Sequence, residues 1–290
     1  MTSNRLSVNV GNTPLLKITD KIWAKAEFMN PSGSIKDRMA TNIINNAEEN
    51  NLLKKGDTII EATSGNAGIS FAWLASERGY KIKIIMPSNM SEERKQMLKY
   101  YGAELIEVEP GDFDGAIKLR NKLSLENGWF NTQQFENPLN IEAHYLNTSV
   151  EIINQTKGQK VDAFVTGTGT GGTLMGCQKR FSKIGIKTVA VEPSESPVMS
   201  GGTPGLHGIQ GIGDGSKFLV DLNVVDKIYT VSTKDSIERA KRLASENGLF
   251  VGISSGANII ASEKYIEEFN SEGIVVTILC DRGERYMSCF

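Results

Sequence analysis

Short β-branched runs alternate with longer amphipathic stretches along most of this chain, and that alternation restricts its fold more than any other feature. Strands are predicted at 58–62, 81–86, 103–108, 161–165, 187–191 and 274–279. Helices are predicted at 36–54, 66–78, 91–101, 114–127, 140–156, 172–183, 234–247 and 255–269. Ser91 followed by two glutamates opens one helix with a cap and an acidic first turn, and Gly79, Gly102, Gly128 and Gly248 close others. Strands separated by helices of this length need crossover connections, so the fold class is α/β, with open parallel sheets covered on both faces. At about 150 residues per domain, 290 residues suggest two domains. The segment 193–216 breaks the pattern with seven glycines and three prolines; a loop that long is usually functional or mobile.

Composition excludes several classes. Thirty-two basic and 34 acidic residues give a net charge of −2, without the basic excess expected of a nucleic-acid binder. No apolar run is long enough to span a bilayer, and the N-terminus lacks the pattern of a secretory signal. Cys177, Cys280 and Cys289 are too scattered for a disulfide framework and, with His144 and His207, show no zinc spacing, so no metal is expected. The expectation is a soluble cytoplasmic protein.

In open parallel sheets, ligands bind beyond the C-terminal ends of the strands, so each strand-to-helix turn is a candidate site. The turn through Gly167, Gly169, Thr170, Gly171, Gly172 and Thr173 follows one predicted strand and opens a helix. Its glycines let the backbone approach an anion, and free N–H groups at the helix start bind it. Gly167, Gly169 and Gly172 also satisfy G-x-G-x-x-G, with Glu192 about 20 residues on, which is the dinucleotide fingerprint in its proper context. The turn is read as a phosphate site, whether or not the phosphate belongs to NAD. Gly252-Ile-Ser254-Ser-Gly256 fits a nucleophile elbow, but that arrangement needs a later histidine, and both histidines lie upstream. Ser254 is left as a hydrogen-bonding hydroxyl. Thr63, Ser64, Gly65, Asn66 and Ala67 form a nest suited to a carboxylate. The isolated His144 and His207 are read as structural.

Asn30-Pro-Ser-Gly-Ser-Ile-Lys36-Asp-Arg38 delivers one lysine to a helix start. A cation there opposes the helix dipole, which favours the neutral amine that attacks a carbonyl. Taken with Thr63-Ser-Gly-Asn66, Gln133-Gln134-Phe135, Gly169-Thr-Gly-Gly-Thr173 and Gly252-Ile-Ser254-Ser-Gly256, this segment resembles cysteine synthase, the O-acetylserine sulfhydrylase branch of the fold-type II pyridoxal phosphate enzymes. Gly11-Asn-Thr-Pro14 and Asp281-Arg-Gly-Glu-Arg-Tyr286 extend the resemblance over nearly the whole chain.

The resemblance implies two open parallel-sheet domains of the tryptophan synthase β-like kind, with pyridoxal phosphate at their boundary. Residues 37–137 would form a smaller, mobile, substrate-clamping domain, and 1–36 plus 138–290 a larger one that binds the cofactor phosphate. Lys36 would carry the cofactor as a Schiff base and remove the Cα proton. Asn66 would hydrogen-bond its ring hydroxyl, Gly169, Thr170, Gly171, Gly172 and Thr173 its phosphate, and Ser254 would face the pyridine nitrogen. Thr63, Ser64, Gly65, Ala67, Gln134 and Gly211 would bind the amino-acid substrate. The implied reaction is β-replacement, O-acetylserine and sulfide giving L-cysteine and acetate, in a homodimer to which a serine acetyltransferase tail could dock.

Two departures from the family pattern bear on the substrate. Ala67 stands where the family usually has threonine, which removes a hydroxyl from the carboxylate nest. Asp214 follows Gly211-Ile212-Gly213 where the family has a small residue. A carboxylate there would repel sulfide anions and could protonate a departing thiolate. L-Cysteine is therefore a second candidate donor, releasing hydrogen sulfide and giving serine or a thioether. An NAD-dependent oxidoreductase using the Gly167 turn is the remoter alternative.

Overall fold

The parallel sheets that the alternation demands are present, and their strand order decides where a ligand can sit. The computed structural model describes residues 5–63, 65–213 and 215–290. A six-stranded sheet has the order β1 (Leu15–Lys17), β2 (Ile22–Ala26), β10 (Ile274–Leu279), β7 (Val161–Gly167), β8 (Lys187–Pro193) and β9 (Lys227–Val231). Only the β1–β2 pair is antiparallel; β2, β10, β7, β8 and β9 pair in parallel. The second sheet, entirely parallel, has the order β5 (Glu104–Val108), β4 (Lys81–Pro87), β3 (Thr58–Ala62) and β6 (Phe130–Asn131). Strand order reverses at β7/β10 in the first sheet and at β3/β6 in the second. Such reversals open a crevice beyond the strand ends, because the following helices cross to opposite faces.

Helices cover both sheets. The second carries α1 (Lys36–Glu49) and α2 (Asn66–Arg78) on one side, where Ile43, Phe71 and Leu74 pack with Ile59 and Ile84. On its other side, Ala116 and Leu123 of α4 (Phe113–Asn127) pack with Ile60 and Ile85. The alternation is the pleat itself, since successive strand residues point to opposite faces. In β7, Ala163 and Val165 meet Ile253 and Ala257 of α9 (Ile253–Phe269), whereas Phe164 meets Cys177 and Phe181 of α7 (Gly172–Phe181). All six residues of β10 are buried, as expected of a central parallel strand. The remaining helices are α3 (Glu92–Tyr100), α5 (Pro138–Ala143), α6 (Ser149–Gln155) and α8 (Thr233–Asn247).

Several elements differ from expectation. The helix predicted over 36–54 ends at Glu49, because Asn51 turns left-handed at φ 58°, a conformation asparagine tolerates. The helix predicted over 140–156 is α5 and α6 joined by a π-helical turn, His144–Thr148. The helix predicted over 172–183 stops at Phe181 and tightens into a 3₁₀ turn. Four strands were not predicted: β1 and β6 have three and two residues, β9 has five, and β2 carries Lys25, which is fully buried and pairs with Glu151 at 2.7 Å. The loop after β8 is no loose excursion, since Ile209 and Ile212 are buried among α9 and β7 side chains.

Candidate active site

The reversals in the two sheets bring the ends of β3, β6, β7 and β10 to one cleft. It is bordered by Lys36, Thr63, Asn66, Ala67 and Gln134 from one side, and by Gly169, Thr170, Gly171, Gly172, Thr173, Gly211, Ser254 and Cys280 from the other. Predicted site residues from distant parts of the chain therefore face the same space. Gly65 lies beside them, hydrogen-bonded through its N–H to Thr63 Oγ1 at 3.1 Å. Ser64 and Asp214 lie outside the described residues.

Lys36 is the first residue of α1 and half-buried. Among the described residues its Nζ has no hydrogen bond or ion pair, so the amine is available to the cleft. The turn that presents it is tied down by hydrogen bonds. Asp37 is buried and accepts from the Ser32 N–H and the Ser70 hydroxyl, each at 2.6 Å, and from the Ser32 hydroxyl. Burial pushes the Asp37 carboxyl above the ordinary carboxylate range in spite of these donors. The next residue, Arg38, is clamped between Glu27 and Glu151 at 2.7 Å each.

The turn at 169–173 forms a cradle. Gly171 caps α7 with φ +90°, and the first N–H groups of the helix lack helical acceptors. A Cβ at Gly171 would lie 2.6 Å from Val220 Cγ2, and one at Gly172 would lie 1.9 Å from Asn140 Oδ1. Backbone donors at a helix start with two threonine hydroxyls suit a phosphate dianion, so these residues fit the cofactor phosphate.

The side of the cleft formed by Thr63, Asn66 and Gln134 is held by residues that sequence reasoning did not single out. Glu61 of β3, fully buried, pairs with the fully buried Arg120 at 3.0 Å. It also accepts from the Gln134 N–H at 3.0 Å and from the Thr132 hydroxyl. Gln134 Nε2 donates to Ala62 O at 2.9 Å, which stands its side chain beside the nest. Asn140 bridges the two halves of the cleft: its Nδ2 donates to Gln134 O and to Thr170 Oγ1, both at 2.9 Å. The signal for Asn140 was the Asn137-Pro138 helix start just beyond Gln133-Gln134-Phe135, which places it on the first turn of α5.

Asn66 is gripped at both ends of its amide. Its Nδ2 donates to Asp281 Oδ2 at 2.6 Å, and its Oδ1 accepts from Arg285 Nη1. Tyr286 donates to the same Asp281 oxygen at 2.5 Å and accepts from Arg94 Nη2 at 2.9 Å. Arg94 lies against Gly65, where a Cβ would come within 2.8 Å of the guanidinium. The segment 281–286 matched the family pattern without an assigned role; here it fixes which way the Asn66 amide points. Ser254, in the first turn of α9, is buried beside Cys280, whose thiol is pushed up to about 12 by burial and the charge of Asp281.

Glu192 does not serve the role a dinucleotide site would give it. Its buried carboxylate accepts from the Met199 N–H at 2.7 Å and from the N–H and hydroxyl of Ser200 at 2.9 and 2.5 Å. It anchors the loop after β8, and its burial keeps it from reaching a ribose hydroxyl in the cleft. Among the described residues no cluster of His, Cys, Asp and Glu could hold a metal ion, and no helix is long and apolar enough to cross a membrane.

Residues 6–281 match the family described as "Pyridoxal-phosphate dependent enzyme". The chain belongs to that family. It is 44% identical to a cysteine synthase of Staphylococcus aureus (strain Mu50 / ATCC 700699) over 293 residues, covering 96% of this chain and 94% of the relative. The structure of an O-ureido-L-serine synthase superposes with a TM-score of 0.94 at 36% identity, covering 100% of this chain and 95% of that one. A hydrogen sulfide-producing enzyme from Fusobacterium nucleatum superposes at 0.92 with 39% identity, covering 98% and 90%. The two-sheet α/β fold is that of the fold-type II members of this family.

Proposed function

We propose that this protein is a pyridoxal phosphate-dependent β-replacing enzyme that converts O-acetylserine and sulfide to L-cysteine and acetate. The observation that carries this reading is the convergence of a lysine unpartnered among the described residues, an oriented amide, a buried hydroxyl and a helix-start phosphate cradle on one cleft. When bound, pyridoxal phosphate supplies an electron sink at Cα that lets the β-substituent leave with its bonding pair. Lys36 carries the cofactor, and its Nζ takes the Cα proton of the donor as general base. Asn66 donates to the ring hydroxyl with the N–H that Asp281 does not use. The turn at 169–173 holds the phosphate. Ser254 faces the pyridine nitrogen with a neutral hydroxyl, which suits loss of a β-group better than transamination.

Thr63, Ser64, Gly65, Ala67 and Gln134 receive the α-carboxylate, and Gly211 borders the donor's side chain. Residues 37–137 act as the mobile clamp, whose closure excludes water from the reacting carbon. A homodimer, a cytoplasmic location and docking of a serine acetyltransferase tail belong to the same proposal and rest on the family resemblance.

A second reading, with L-cysteine as donor and hydrogen sulfide as product, is favoured by one feature of the chain. Asp214 follows in sequence Gly211 and Ile212, which border the cleft, and Gly213, whose N–H donates to Thr168 O at 3.0 Å. Its carboxyl is the proposed acid for a departing thiolate. Asp214→Ala is expected to abolish sulfide release from cysteine and spare reaction with O-acetylserine; equal release by variant and parent would exclude that role.

The visible absorption spectrum tests the main reading. The purified protein is expected to be yellow, to shift its band to longer wavelength on adding O-acetylserine, and to revert on adding sulfide with cysteine released. A protein that stays colourless after incubation with pyridoxal phosphate overturns it.

A further inference from the structure

Among the described residues His144 has two hydrogen-bond partners, and both are threonine hydroxyls. Its Nδ1 lies 2.9 Å from Thr148 Oγ1, at the other end of the π-helical turn, and its Nε2 lies 3.2 Å from Thr173 Oγ1. The ring is buried, and desolvation lowers its pKa to about 3; Arg38 and Lys36 disfavour its charge while Glu27 and Glu151 favour it. The imidazole is therefore neutral, with one donor nitrogen and one acceptor.

Counting protons chooses between the two tautomers. With the proton on Nδ1, the ring donates to Thr148 and accepts from Thr173. The Thr148 hydroxyl proton, fully buried, then has no acceptor among the described residues. Thr173 would also present only lone pairs to the cleft, where an anion is expected. With the proton on Nε2, Thr148 donates to Nδ1 and Nε2 donates to Thr173 Oγ1. The Thr173 proton is then free to point into the cleft, and every buried donor is paired. Unpaired buried donors are costly, so the second arrangement wins.

We propose that His144 is a positioning residue: as the Nε2–H tautomer it turns the Thr173 hydroxyl proton toward the anion bound at the start of α7. The inference rests on the phosphate reading above. Thr170, the other threonine of the turn, is loaded in the same way, since its Oγ1 accepts from Asn140 Nδ2 and its proton is left for the cleft. The π-helical turn brings His144 against α7, where Gly176 leaves room for it; a Cβ there would lie 2.7 Å from His144 Cβ. Extra-residue turns of this kind often mark functional positions in helices.

The chain has two histidines, which makes a direct test simple. Holoenzyme labelled with ¹⁵N-histidine is compared with the His207→Asn variant to assign the rings. His144 is expected to show a protonated Nε2 and a bare Nδ1. Pyridoxal phosphate affinity by equilibrium dialysis and the ³¹P resonance of the bound phosphate are then measured in two variants. His144→Leu is expected to bind the cofactor on the order of tenfold more weakly and to shift the phosphate resonance. His144→Gln, whose amide can donate from the Nε2 position, is expected to restore most of both. A protonated Nδ1 overturns the proposal, as does equal behaviour of Leu and Gln variants. If neither variant folds, the tautomer in the parent decides alone. A parent chain that takes up no pyridoxal phosphate overturns the functional reading and this one with it. A chain that takes it up with Nδ1 protonated overturns this one only.

Discussion

Replacing Gly172 by alanine adds one methyl group to the first residue of α7, and its effect follows from a single neighbour. The backbone there is not left-handed, so alanine meets no conformational penalty and gains up to about 1 kcal/mol in helix propensity. The obstacle is Asn140, whose Oδ1 and Cγ would lie 1.9 and 2.4 Å from the new Cβ. Asn140 is buried and its amide donates to Gln134 O and Thr170 Oγ1, so it cannot swing aside without losing both bonds. Two neutral hydrogen bonds are worth about 1 kcal/mol each net, and overpacking typically costs about 1–3 kcal/mol. Gly172→Ala should therefore destabilise the protein by about 1–3 kcal/mol and weaken cofactor uptake, because the cradle moves. Asn140→Ala removes the obstacle as well as the bonds. The double variant should then be no less stable than Asn140→Ala alone, and about 1 kcal/mol more stable if the helix gain is realised. Urea titrations followed by tryptophan fluorescence, with cofactor titrations alongside, give all four corners of the cycle. Penalties that simply add in the double variant would refute the steric argument.

Lys36→Ala should lower turnover by about 10²–10⁴-fold, with far-UV circular dichroism unchanged because the amine has no partner among the described residues. Turnover near the parent level would place the base elsewhere. Burial raises the Glu151 carboxyl, but hydrogen bonds and charge from Arg38 and Lys25 outweigh it and hold the group at about 2, below its ordinary 4.5. Its stabilisation is thus present above pH 4.5 and lost as pH falls towards 2. Glu151→Gln should be less stable than the parent at neutral pH and should decline less over that acid window, as read by denaturation at a series of pH values; parallel acid limbs would contradict this. Burial pushes Cys280 up to about 12 and Cys177 higher still, whereas Cys289 is partly exposed. Thiol reagents at mildly alkaline pH should modify Cys289 first by mass mapping, and prior reaction of Cys280 at the cleft would argue for a thiolate there.

The local features of this chain were legible because they depend on near neighbours in sequence. Alternation of strand and helix periods fixed the fold class, since the pleat and the helical turn repeat every two and 3.6 residues. The glycine turn at 169–173, the lysine at a helix start, the nest around Asn66 and the serine turn at 252–256 could each be read in place. Their order along the chain supported the family resemblance. β1 and β6 escaped because three and two residues carry too little periodicity, and β2 hides a charge whose partner, Glu151, lies far away in the chain.

Tertiary structure decided what those motifs share. The reversals at β7/β10 and β3/β6 set the ends of four strands on one cleft. The residues that aim the functional groups are held by pairings across the chain: Asn66 with Arg285 over 219 positions, Gln134 with Glu61 over 73, Asn140 with Thr170 over 30 and His144 with Thr173 over 29. A periodic pattern reports which face of an element is buried, but not which distant polar group waits there. The sequence by itself therefore determined the layers, the turns and the chemical inventory of the site. Only the packed structure decided the orientation of that inventory, because a buried donor must find its acceptor in space and not in sequence.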